Sequence, residues 1–131
     1  MNEEEKKKKY KETFGRMIKP NEIVIEDLPE EELFKTMGRL ENDGYRAEYW
    51  KAEGQDSGHV HIKDIQGLPG DLSKEQLANY KKLFIKKYVP EKFWGEVDFQ
   101  LCGVHRIAEE NKPHYKYGSL KKLINIGGDY E

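Results

Sequence analysis

The sequence predicts an α+β domain with an open-faced antiparallel or mixed sheet and helices on one face, of the RNA-recognition-motif or ferredoxin-like type. Strand-like and helix-like segments are interleaved in the order helix, then β-α-β-β-α-β, then further strands. The clearest alternation, at 59–63, places Val60 and Ile62 on one face and His59, His61 and Lys63 on the other. Two adjacent imidazoles on one face of a strand make this stretch the first candidate for a functional site.

The composition indicates one domain with a modest core. Of the 131 residues 37% are charged and 36% are apolar. The net charge of −2 does not indicate a nucleic-acid partner, although residues 79–89 contain four lysines and no acid. The single cysteine cannot form an internal disulfide, which favours a reducing, cytoplasmic location. No apolar run approaches the ~18 residues of a membrane span, so no membrane partner is expected.

Residues 1–20 are expected to form an N-terminal helix, at 2–18, ahead of the α+β domain at 21–131. Asn2 can cap this helix, and the three glutamates that follow suit its positive end. The short apolar stripe of the helix consists of Tyr10, Phe14 and Met17.

A first strand is predicted at 22–26, with Ile23 and Ile25 facing the core and Glu22, Val24 and Glu26 on the other face. Asp27 follows the strand and can cap a helix over 29–42, which Gly44 ends.

A second strand at 45–52 leads through a hairpin into the histidine strand. The capping box Ser73-Lys74-Glu75-Gln76 then starts a helix that stops at Pro90. Three further strand-like segments are predicted, at 96–101, 104–108 and 120–126.

Polar residues of these strands are expected to meet on the open face of the sheet. Glu26, His59, His61 and Asp98 could converge there, with Asp98 in mid-strand between two apolar neighbours. A partly shielded carboxylate requires a cation or a hydrogen-bond donor, and two carboxylates with open valences suit Mg²⁺ or Mn²⁺. The alternative is a surface of unrelated ion pairs.

The order of these motifs resembles that of the archaeo-eukaryotic primase superfamily, the catalytic cores of primases and primase-polymerases. The resemblance covers about residues 21–125. Its motifs are Ile23-Val24-Ile25-Glu26-Asp27, Ser57-Gly58-His59-Val60-His61-Ile62, Val97-Asp98, and a basic segment from Arg106 to the Lys116-Tyr117-Gly118 turn.

The resemblance implies a minimal or reduced primase-polymerase domain that catalyses metal-dependent nucleotidyl transfer on a template. The implied partners are single-stranded DNA or RNA, nucleoside triphosphates, and a helicase or other replication proteins. Glu26, Asp27 and Asp98 would hold Mg²⁺ or Mn²⁺ and act in catalysis. The residues that would bind the nucleotide and template phosphates are Ser57, His59, His61, Arg106, His114 and Lys116.

The first motif departs from the family pattern, in which one residue separates the two acids. Glu26 and Asp27 are adjacent, so on a regular strand their side chains would point to opposite faces. Either the strand ends at Asp27 and lets both carboxylates reach the metal, or one ligand is missing.

Two other functions fit the same residues. His59-Val60-His61 is similar to the motif of HUH-type replication-initiation endonucleases, in which both imidazoles and Glu48 would hold a metal and Tyr80 or Tyr88 would attack DNA. Metal dependence would distinguish both enzymes from the other alternative, a non-catalytic nucleic-acid-binding module. The binding residues of that module would be Lys81, Lys82, Lys86, Lys87, Tyr115 and Tyr117.

Overall fold

The computed structural model of the chain describes residues 2–68, 70–103, 105–114 and 119–126. Within these ranges the fold is α+β, as predicted. The helices are α1 (Glu3–Phe14), α2 (Glu30–Asn42) and α3 (Lys74–Tyr88). The strands are β1 (Gly15–Met17), β2 (Ile23–Ile25), β3 (Ala47–Ala52), β4 (His59–Ile62), β5 (Arg106–Ala108) and β6 (Lys121–Ile126). Two short 3₁₀ helices, Glu91–Phe93 and Phe99–Cys102, lie between α3 and β5.

The strands form two antiparallel sheets. The larger has the order β2-β4-β3-β6, and the smaller pairs β1 with β5. Since β4 is antiparallel to both of its neighbours, β2 and β3 run parallel and α2 is the crossover between them. The last strand, β6, pairs with β3 and therefore lies at the opposite edge of the sheet from β2.

One face of the larger sheet packs against α2 and α3. The register places Ile23 beside Ile62 and Ile25 beside Val60, and each of the four side chains is at most 1% exposed. Burial of such a side chain stabilises the fold by roughly 1.5–3 kcal/mol. The predicted alternation of the histidine strand is therefore confirmed on its apolar face.

The other face of this sheet is covered as well. Val24, opposite His61 in the register, belongs to a second buried cluster with Ile18, Leu101 and Ile107. Ile18 directly follows β1 and Ile107 is in the middle of β5, so the β1–β5 pair closes the face. The expectation of an open face is wrong for this part of the sheet.

Three predicted elements differ from the structure. The helix expected at 2–18 ends at Phe14, because residues 15–17 pair with β5 instead. The strand expected at 96–101 is absent from the described structure, where a 3₁₀ helix occupies 99–102. Asp27 does not cap α2, whose N-cap is Pro29 without a side-chain hydrogen bond.

The predicted capping box is confirmed. The Ser73 hydroxyl accepts from the backbone N–H of Gln76 at 3.1 Å, and the Gln76 amide oxygen accepts from the backbone N–H of Ser73 at 2.9 Å. The side chains of Tyr10 and Phe14, predicted as an apolar stripe, lie outside the described residues. None of the described helices combines the length and apolar character that crossing a membrane requires.

Candidate functional site

Three acidic side chains meet where β2 ends. The strand stops at Ile25, and Asp27 has a left-handed backbone with φ of 68° that turns the chain out of the strand. Asp98 approaches from the distant 3₁₀ segment, where its Oδ1 accepts from the Gln100 N–H at 3.1 Å. Carboxylate oxygens of Glu26, Asp27 and Asp98 lie within 4.8 Å of one another. The structure thus brings together the three residues that the sequence predicted as metal ligands, although Asp98 is not in a strand.

The environment of this carboxylate cluster (Glu26, Asp27 and Asp98) is asymmetric. Burial alone would raise the pKa of Glu26, but its contact with the His59 imidazole holds that pKa below the ordinary value. Burial raises the pKa of Asp27, and the neighbouring charges of Glu26 and Asp98 raise it further. The neighbouring carboxylates therefore create a negative potential at Asp27, the exposed member of the cluster, and this potential would attract a cation.

The donor set of the cluster fits a hard divalent cation. Mg²⁺ takes oxygen ligands at about 2.1 Å, so opposite ligands of one octahedral ion stand about 4.2 Å apart. Oxygens within 4.8 Å of one another could approach one such ion after side-chain adjustment. Asp27 is exposed and the Glu26 side chain is 22% exposed, which leaves the cluster open to water and solutes. Three carboxylates without a nitrogen or sulfur ligand suit Mg²⁺ or Mn²⁺ better than Zn²⁺.

The two histidines are buried beside the cluster rather than exposed. His61 is 0% and His59 is 7% exposed. The Lys121 ammonium, itself buried, lies 3.2 Å from His59 Nδ1, 3.0 Å from His61 Nε2 and 2.7 Å from the Ala108 carbonyl oxygen. Burial, followed by the charge of Lys121, lowers the pKa of His61 to about 3. Both imidazoles are neutral near pH 7, since burial also lowers the pKa of His59.

A second ionic group continues this network away from the cluster. Arg16, on β1, donates to both oxygens of Glu22 at 2.7 Å and to both oxygens of Glu110 at 2.8 and 3.1 Å. Glu22 Oε2 also lies 3.3 Å from His61 Nδ1. Burial would raise the pKa of Glu22, but the bonds from His61 and Arg16 hold it well below the ordinary value. Arg16 thus joins β1 to the larger sheet through charges that are almost fully buried.

The structure separates the residues that the sequence assigned to nucleotide phosphates. Ser57 is half-buried just before β4, at the end of the sheet where β2 reaches Glu26, whereas Arg106 is exposed on β5. His114 is buried, and Lys116 lies outside the described residues. His61 has no exposed surface through which a phosphate could reach it, so its expected role does not fit its position.

The geometry does not fit the HUH-type arrangement either. The Lys121 ammonium occupies the space between the imidazoles where a metal would have to bind. Tyr88 is in the core with Val60 and Ile62, on the helix side of the sheet, and donates to Asp43 at 2.6 Å. A tyrosine on α3 is therefore across the sheet from the histidines.

Sequence reasoning did not identify Lys121 or Arg16 as part of the site. Arg16 falls inside the helix predicted at 2–18, and Lys121 is one of two adjacent lysines in the strand predicted at 120–126. The signal that could have identified them is the pair of histidines, because two imidazoles on a buried strand need hydrogen-bond partners from elsewhere in the chain.

A cleft of about 560 Å³ lies at the other end of the sheet, between the start of β3 and the end of β4. Arg46, Glu48, Lys63 and Asp64 contribute to its lining. The ammonium of Lys63 bonds to Glu48 at 3.2 Å and to Glu110 at 2.7 Å, so its charge is already compensated. This cleft is separate from the carboxylate cluster, which lies on the opposite end of β2.

Comparison with protein-family models, with curated proteins and with solved structures found no match to the chain. Its function is therefore inferred from its own residues.

Proposed function

We propose that the chain is a minimal or reduced primase-polymerase-like domain, which performs metal-dependent nucleotidyl transfer on a single-stranded nucleic-acid template. The single observation that supports this most is the convergence of Glu26, Asp27 and Asp98 at one exposed point of the fold. The order of β2, α2, β3 and β4, with β4 between its two neighbours, is compatible with the β-α-β-β part of an RNA-recognition-motif type of core, whereas β6 pairs with β3 and not with β2.

In this proposal the carboxylate cluster holds Mg²⁺ or Mn²⁺. The ion would stabilise the negative charge that develops on the transferred phosphoryl group and favour ionisation of the attacking hydroxyl. Asp27 is the exposed member of the cluster, so in this proposal it meets the incoming nucleotide through the ion. Glu26 is tied to His59 at the buried side of the cluster. The role of His59 differs from the one that the family resemblance implies, because His59 here contacts a carboxylate rather than a phosphate.

Basic side chains of α3 lie over the aromatic rings of Trp94 and Phe99. The ammonium groups of Lys82 and Lys86 lie 5.4 and 5.7 Å from the ring centroid of Phe99, the residue after Asp98. Lys86 also lies 4.8 Å from the Trp94 ring centroid. In this proposal these cations would bind the phosphates of the nucleic-acid strand, since Phe99 directly follows Asp98 in the chain.

The test is incorporation of labelled nucleoside triphosphates on single-stranded DNA or RNA in the presence of Mn²⁺ or Mg²⁺. Asp98→Asn keeps the oxygen that accepts from the Gln100 N–H but removes the charge, so it isolates metal binding from folding. We expect metal-dependent products from the unaltered chain, a loss of at least about 100-fold in Asp98→Asn, and no loss in the matched control Asp71→Asn at an exposed turn. Absence of products from the unaltered chain, or full synthesis by Asp98→Asn, would contradict the proposal.

The second candidate is a non-catalytic nucleic-acid-binding module. The basic surface formed by Lys82, Lys86 and Lys87 on α3 favours it, because such a surface can bind a phosphate backbone without any metal. Lys81, also expected to bind, is buried and donates to the Lys19 carbonyl oxygen at 3.0 Å. Salt-sensitive DNA binding without metal-dependent synthesis would support this function instead.

A further inference from the structure

The Lys121 ammonium connects both histidines to one buried point of the fold. Its three acceptors are His59 Nδ1, His61 Nε2 and the Ala108 carbonyl oxygen, at 3.2, 3.0 and 2.7 Å. An ammonium group has three protons and no acceptor. The number of acceptors around Lys121 therefore equals the number of protons that it can donate.

This arrangement determines which nitrogen of each imidazole has the hydrogen. The charged form of Lys121 can donate to His59 Nδ1 and His61 Nε2, which lie 3.2 and 3.0 Å away. These two nitrogens then accept, and the other nitrogen of each ring has the hydrogen. His59 then donates from Nε2 to Glu26, and His61 donates from Nδ1 to Glu22 at 3.3 Å. The two partners, Glu26 and Glu22, are carboxylates, which supply the acceptors that neutral imidazole N–H groups need.

We infer that His59 and Lys121 are positioning residues for the carboxylate cluster: Lys121 fixes the tautomer of His59, and His59 Nε2–H holds the Glu26 carboxylate in its orientation toward Asp27 and Asp98. This inference rests on the proposed function, since the orientation matters only if the cluster binds a cation. Neither His59 nor Lys121 touches the bound cation; they act through Glu26.

Burial gives this chain of contacts its rigidity. Lys121 is 1% and His59 is 7% exposed, and no described buried side-chain nitrogen or oxygen lacks a partner. Water therefore has little access to replace any of the three acceptors around Lys121. A hydrogen bond that orients a metal-binding group typically changes metal affinity 10- to 100-fold when it is removed.

The first experiment measures Mn²⁺ affinity by electron paramagnetic resonance in four variants. His59→Ala removes the donor to Glu26 and should weaken Mn²⁺ binding by about 10-fold or more. His59→Gln places an amide N–H near the position of Nε2 and should restore binding to within about 3-fold, on the same scale. Lys121→Met should weaken binding, whereas the control Lys122→Met, at the exposed neighbouring position, should not. Loss of binding to the same extent in His59→Gln and His59→Ala would overturn the inference.

The second experiment needs no variant. Long-range ¹H–¹⁵N correlation spectra of the histidine rings distinguish the two neutral tautomers. We expect the Nε2–H form for His59 and the Nδ1–H form for His61 in the unaltered chain. The Nδ1–H form at His59 would overturn the inference, whether or not Lys121→Met folds.

The outcomes separate this inference from the proposed function. If His59→Ala binds Mn²⁺ as tightly as the unaltered chain, and Asp98→Asn does not bind it, the cluster is a metal site and only the positioning role is wrong. If the unaltered chain does not bind Mn²⁺, both the proposed function and the positioning role are wrong.

Discussion

Replacing Arg16 by methionine should destabilise the fold strongly, because this guanidinium neutralises two carboxylates between the sheets. Its side chain is 17% exposed, and the side chains of Glu22 and Glu110 are 2% and 13% exposed. Removing one partner of a buried ion pair costs about 3–5 kcal/mol, since the remaining charge is left without compensation. We expect a loss of about that size in the free energy of unfolding of Arg16→Met.

The matched control is Arg46→Met. Arg46 also forms an ion pair, with Glu48 at 3.4 Å, but its side chain is 66% exposed. Exposed pairs contribute about 0–1 kcal/mol. Urea unfolding followed by tryptophan fluorescence measures both variants, and the double variant Arg16→Met/Glu22→Gln should recover part of the loss. Equal losses in Arg16→Met and Arg46→Met would refute the reasoning that Arg16 joins the two sheets through buried charge.

Three further predictions follow from individual residues. His61 has a pKa of about 3 in the folded chain, below its ordinary value of 6.5; between these values the unfolded chain binds a proton that the folded chain does not. The free energy of unfolding should therefore fall by a few kcal/mol, at about 1.4 kcal/mol per pKa unit, as the pH decreases from about 6.5 toward 3, and His61→Gln should flatten this dependence in urea titrations. Gly58→Ala would place a Cβ atom 2.1 Å from the Trp50 carbonyl oxygen, so we expect the free energy of unfolding to fall by about 1–3 kcal/mol. The control Gly95→Ala should change it little, because no atom lies within 4 Å of the added Cβ. Asp27→Gly should raise the free energy of unfolding by about 1 kcal/mol, because glycine accepts the left-handed backbone. The same variant should bind Mn²⁺ more weakly. If it keeps full Mn²⁺ affinity, Asp27 is not a ligand.

Local sequence patterns predicted the elements better than the contacts between them. The strand at 59–62 and the capping box at Ser73 depend on neighbouring residues, and the structure contains both, although it buries the polar face of that strand as well as its apolar face. The burial of His59 and His61 depends on β1 and β5. Each of these strands has three residues, and the two are far apart in the sequence. β5 lies within the strand predicted at 104–108, but β1 lies within the helix predicted at 2–18, so the pairing that closes the face could not be predicted.

The sequence predicted the acidic residues of the candidate site but not its buried cations, Lys121 and Arg16. The carboxylates of Glu26, Asp27 and Asp98 were grouped by motif order, and the structure brings them together. Asp98 was expected in mid-strand, but it is the N-cap residue of the 3₁₀ helix Phe99–Cys102. Lys121 could not be distinguished from its exposed neighbour Lys122 by sequence, since only the tertiary packing decides which of two adjacent lysines is buried.

Titration of Mn²⁺ into the unaltered chain and into Asp98→Asn, followed by electron paramagnetic resonance, determines whether Glu26, Asp27 and Asp98 form a divalent-cation site. We expect stoichiometric binding by the unaltered chain and a loss of at least about 10-fold in affinity in Asp98→Asn, with both proteins equally stable to urea. Equal affinity in the two proteins, or no binding by either, would contradict a divalent-cation site at Glu26, Asp27 and Asp98.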